Sequence, residues 1–244
     1  MMRQRKGSRG FSLVECVVAV AVGMSILGAV YMAVWSGQRS ATGIDRKVTT
    51  GQDARAALEV MAMEMRMASY NPFYAANPWT DIASCNAGDS TRRGIQNATA
   101  STIQIQMDLS GNGACGDAAN EIIVYTLDAV NQRITREPWT CSGSPVSAGV
   151  QSFLGAAAGE AKTVRVVNAD AGVAIPLFRY FNSTGTDITS SLPGAISQIR
   201  RIEITLVVDS ENVDPTLVNA DQGPQRRRLI YSTSVVPRNH AIQF

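Results

Sequence analysis

Residues 11–35 form an apolar run broken by a single charge, Glu15. As an α-helix rising 1.5 Å per residue, a run of this length reaches roughly 37 Å, more than the hydrocarbon core of a bilayer. Four cations, Arg3, Arg5, Lys6 and Arg9, precede the run and none comes just after it, Arg39 being the first. That asymmetry predicts a cytoplasmic N-terminus and an exported remainder. A cleaved secretory signal would instead close a shorter apolar core with a small-residue site. Ala29 and Ala33 offer small residues, but no A-x-A site ends the run.

The junction is as informative as the run. The basic residues lead to Gly10, followed by Phe11-Ser12-Leu13-Val14-Glu15. This arrangement resembles the class III signal of type IV prepilins and pseudopilins. The resemblance implies cleavage after Gly10 by a prepilin peptidase/methylase, which would also N-methylate the new terminus at Phe11. Residues 1–10 are then a leader peptide, and 11–35 the membrane or filament-core half of a first helix. Glu15 is costly inside a membrane, about 2.5–3.5 kcal/mol on insertion scales. The resemblance implies that it pairs with the N-terminal ammonium of a neighbouring subunit, so that assembly relieves the cost. The simpler reading is that Glu15 snorkels to the cytoplasmic interface.

Beyond Trp35 the chain turns polar but keeps a helical period, with no proline before Pro72. Leu58, Met61, Ala62, Met65 and Ala68 share one helix face, while Arg55 and Glu59 make an i,i+4 pair on another. One helix from about residue 12 to about residue 69 is expected, softened at Gly37, Gly43 and Gly51. At this spacing the methionines read as core rather than as a soft-metal site. Residues 36–70 are its amphipathic half, and residues 71–244 the exported head.

In the head the period becomes two. Strands are expected over 102–107, 121–128, 133–137, 163–167, 174–181, 199–208 and 227–236, with turns at Asn182–Gly185, Pro193-Gly194 and Asp214-Pro215. A sheet with one apolar face needs a cover, which the Leu58–Ala68 face can supply. The fold class is α+β: a long N-terminal helix packed on an antiparallel β-sheet head. Glu121-Ile-Ile-Val-Tyr125, Leu177-Phe-Arg-Tyr-Phe181, the long Ile-rich strand and the terminal Val-Val-Pro-Arg-Asn239 resemble PilW-type minor pilins. That resemblance implies an inner-membrane precursor with a periplasmic head that later joins a pilus at the cell surface. Its partners would be other minor and major pilins through their N-terminal helices, and the inner-membrane assembly platform. The chain is longer than is usual for major pilins, which argues against a principal filament subunit.

Cys16 lies in the apolar run, so Cys85, Cys115 and Cys141 are left for one disulfide and one thiol in an oxidising compartment. A hairpin turning at Ala129-Val130-Asn131 brings Cys115 near Cys141, the expected pair, closing a loop that would stabilise the head by roughly 3–4 kcal/mol. Asp108-Leu-Ser110-Gly-Asn112-Gly113 resembles the start of a calcium loop, with Asp117 or Glu121 completing the set. The competing reading is a plain Asn/Gly/Ser turn, and no other cofactor is expected. Gly111-x-Gly113-x-x-Gly116 leads into a strand rather than a helix, so it is no dinucleotide fingerprint.

A formal net charge of +2 supplies no basic field for nucleic acid. The single histidine, His240, and the absence of a nucleophile elbow or metal-knuckle spacing argue against an enzyme. Three readings remain, in order: a non-catalytic minor pilin acting in the priming or tip complex of a type IV pilus, a pseudopilin of a type II secretion system, and an uncleaved membrane-anchored surface protein.

Overall fold

A computed structural model describes residues 12–157, 164–170, 172–210, 218–219, 223–224, 226 and 228–241. Gly10, Phe11 and the Asp214-Pro215 turn lie outside the described residues.

Helix α1 runs Leu13–Met67. The chain divides into two compact units, Met1–Arg46 and Lys47–Phe244. In the first, the helix carries its apolar side chains outward: Leu13 is 80 % exposed and Met32 72 %. This part is long and apolar enough to cross a membrane.

The second unit has a single large core. Its helical stretch buries Ala54, Leu58, Met61, Ala62, Met65 and Ala68, the face expected from their spacing. Each of the large side chains among them gains about 1.5–3 kcal/mol from burial. Gly51, expected to soften the helix, also has a packing reason: a Cβ there would meet the Tyr231 hydroxyl at 2.7 Å. Arg55 lies over the Tyr231 ring, 5.4 Å from its centre, rather than forming an ion pair with Glu59.

Two antiparallel sheets meet this helix face in one core. The first contains β1 (Ile95–Ala98), β2 (Thr102–Gln106), β3 (Ile122–Asp128), β4 (Arg133–Cys141) and β5 (Pro145–Ser147) in that order, with β6 (Gln151–Leu154) also on β4. The second is built on a long central strand, β9 (Arg201–Ser210). One edge of β9 carries β12 (Arg228–Val235), and β7 (Val164–Val166) and β8 (Phe178–Phe181) also pair with it. A short pair, β10 (Val218–Asn219) and β11 (Gly223–Pro224), completes the described strands. Ile202, Ile204, Leu206 and Val208 of β9 are all fully buried, as their alternation requires.

The strand expected over 174–181 shortens to Phe178–Phe181 for a local reason. Between β7 and β8 the side chain of Asn168 does the work of backbone. Its amide donates to the Thr205 carbonyl at 2.7 Å and accepts from the Val207 N–H at 2.9 Å. β1, β5 and β6 were not expected; each has only three or four residues, too short to show a period.

Candidate functional site

At the start of α1, Glu15 sits in the first turn, where a helix dipole favours an anion. Its Oε2 accepts the backbone N–H of Ser12 at 3.1 Å. Val14, Val18, Val22 and Ile26 are exposed and run on from it along the helix. A carboxylate at the head of a bare apolar stripe can recruit a cation, while the stripe recruits lipid or other apolar helices.

The loop between β2 and β3 closes on its own carboxylates. Asp108 is fully buried and accepts backbone N–H groups from Gly111 at 2.7 Å, Asn112 at 3.2 Å and Gly113 at 2.8 Å, with the Ser110 hydroxyl at 3.3 Å. Glu121, also fully buried, accepts from the N–H groups of Ser110, Gly116 and Ala118. Asp117 takes the side-chain amide of Asn112, which holds its carboxyl below the usual range. Of the possible calcium set Asp108, Ser110, Asn112, Asp117 and Glu121, the carboxylates of Asp108, Asp117 and Glu121 are turned onto loop donors, the arrangement of the competing turn. Among the described residues no group of three or more His, Cys, Asp or Glu could hold a metal.

The same loop decides the cysteines, and the expected Cys115–Cys141 pairing is also corrected. The disulfide joins Cys85 to Cys141, with Cα atoms 5.4 Å apart. The β3–β4 register, Ile122 opposite Trp139, carries β4 past the end of β3. There the Cys141 N–H donates to the Gly116 carbonyl at 2.6 Å, so Gly116 rather than Cys115 lies alongside it. A Cβ on Gly116 would meet Cys141 Cβ at 3.4 Å and Ile122 Cδ1 at 2.9 Å, which explains the glycine. Cys115 is a buried free thiol, its backbone tied to Pro78 and to the Thr80 hydroxyl. Burial, reinforced by Glu121, pushes the thiol pKa far up and leaves it unreactive.

Two polar nodes escape sequence reasoning because their members are far apart in the chain. In one, Arg136 of β4 donates to both oxygens of Glu64 on α1, at 2.9 and 3.3 Å, and the Tyr125 hydroxyl donates to the same carboxylate. Burial and the Glu64 bond push the tyrosine pKa far up. In the other, Ser69 ends the helix at φ +67°, and its Oγ accepts the Gly94 N–H at 3.0 Å. Its own proton then goes to His240 Nδ1 at 2.9 Å, and His240 Nε2–H donates to the Ile196 carbonyl at 3.0 Å. Both side chains are buried. Burial holds the His240 pKa down at about 4, with the Arg93 and Arg200 charges acting the same way.

Compared with known proteins, residues 5–31 match the prokaryotic N-terminal methylation motif. The comparison with curated proteins returns no match. Among solved structures the chain is similar to the type IV-like pilin TTHA1219 from Thermus thermophilus, at 12 % identity and a TM-score of 0.41, over 78 % of this chain and 98 % of that one. The matched residues thus run into α1 from Leu13 on, and the later part of the same helix, from Ala54 to Met65, packs on antiparallel sheet.

Proposed function

We propose that this protein is a minor pilin of a type IV pilus, made as a single-pass inner-membrane precursor and acting in the priming or tip complex without catalysing a reaction. The observation that carries this reading is the methylation motif over residues 5–31, at the head of an apolar stretch whose side chains stand exposed. In this reading a peptidase/methylase cuts after Gly10 and methylates Phe11, and residues 11–35 hold the subunit in the membrane until the assembly platform extracts it. Glu15 then pairs with the Phe11 ammonium of a neighbouring subunit, while apolar helix packing supplies most of the cohesion. The head beyond residue 70 stays outside, stapled by Cys85–Cys141. The PilW-type strand patterns and the chain length favour a minor rather than a principal subunit. Intact mass and N-terminal sequencing of the protein from native membranes test it. A chain beginning at N-methylated Phe11 is expected; a chain retaining Met1 would overturn the reading.

A further inference from the structure

Beside the Ser69–His240 node the head opens into a cavity of about 520 Å³, within the size range of small-molecule sites. Arg93 lines it. One guanidinium nitrogen donates to the His240 carbonyl, and among the described residues no carboxylate pairs with the rest. The neighbouring charge that bears on Arg93 is another cation, Arg200, itself spent on the Ser197 and Ile199 carbonyls. The adjacent acid, Asp89, is taken by Arg92 at 3.2 Å and by Thr91. Arg93 also sits at φ +51°, so the guanidinium is held here at a backbone cost. A half-buried cation without a counter-ion is stabilised by an incoming anion, most strongly by a carboxylate that can take two of its N–H groups.

The remaining lining narrows the ligand. Ser90, Ser197 and Asn239 are among the residues that line the cavity, and their side chains make no hydrogen bond among the described residues. They leave hydroxyl and amide groups around the cation for a ligand that both donates and accepts. Trp79, itself almost wholly buried, gives the cavity an apolar edge. We infer that this cavity binds a small hydroxylated carboxylate with the chemistry of a hexuronate, its carboxylate on Arg93 and its hydroxyls on Ser90, Ser197 and Asn239. The site stands on the head alone and does not depend on the filament reading.

Calorimetric titration of the full-length protein in detergent with D-glucuronate tests the site, using D-glucose and acetate as matched ligands that lack the carboxylate or the hydroxyls. Saturable glucuronate binding at least about tenfold tighter than either is expected, and Arg93→Gln should lose about tenfold or more. Because Arg93 also holds the His240 carbonyl, a second variant, Ser197→Ala with Asn239→Ala, is read alongside it. This pair should weaken glucuronate binding several-fold with an unchanged unfolding temperature. Acetate binding as tightly as glucuronate, glucuronate no better than glucose, or wild-type affinity in the double variant would each overturn the proposal.

Discussion

His240 shows how one residue can set the acid stability of the head. Its ring is neutral in the fold, because Ile196 takes the Nε2 proton and Nδ1 must accept from Ser69. Unfolded, the imidazole titrates near 6.5; folded, it resists protonation down to about 4. Between those values the unfolded chain binds more protons than the folded one, so stability rises with pH across this window. Above pH 6.5 the fold carries no penalty from this group. As the pH falls toward 4, a penalty of about 3 kcal/mol builds up, and it levels off below. Denaturant unfolding of wild type and His240→Gln at a series of pH values checks this. The difference between the two should change steeply between pH 6.5 and 4, and a difference independent of pH would refute the assignment. None of this could be read from the sequence, where a lone histidine near the end of the chain carries no sign of Ser69 or Ile196. The Glu64–Arg136 pair was hidden for the same reason: its partners meet only once the helix lies on β4.

At the scale of elements, legibility followed period and length. The Leu58–Ala68 face and the alternation of β9 were plain because each repeats over several residues. The loop from Asp108 to Glu121 was not, since its structure depends on which donors each carboxylate reaches rather than on spacing. The cysteines turned on a smaller quantity still. One position along the chain at the frayed end of the hairpin puts Gly116 beside Cys141 and turns Cys115 into the head. Cys85 and Cys141 are 56 residues apart, and a loop of that length lends about 4 kcal/mol in the chain-entropy description. Cys85→Ser should therefore lower the unfolding free energy of the oxidised protein by up to that amount. Cys115→Ser should leave the bridge intact, with the Cys85 and Cys141 peptides still linked in a non-reducing digest. A link from Cys115 to Cys141 in the wild type would reverse both expectations.

On the minor-pilin reading proposed above, the decisive balance for the whole molecule is between membrane and assembly. The exposed side chains from Leu13 to Trp35 are as comfortable in lipid as against other apolar helices, so apolar burial alone gives little reason to leave the bilayer. Glu15 breaks that symmetry. On that reading its carboxylate would cost about 2.5–3.5 kcal/mol in the membrane, and a charge-assisted hydrogen bond to a neighbour's terminal ammonium would offset that cost. On the minor-pilin reading, Glu15→Val should make the membrane-held precursor more stable and the assembled state less favoured. The variant should be processed at Phe11 normally, accumulate in the inner membrane and be depleted at least about tenfold from sheared filaments, a ratio equivalent to 1.4 kcal/mol. Glu15→Asp, which keeps the charge on a shorter arm, should fall between Val and wild type. Quantitative immunoblots of membrane and filament fractions read all three. Equal amounts of Glu15→Val and wild type in filaments would mean that helix packing alone drives extraction, and that the carboxylate only anchors the helix start through the Ser12 N–H.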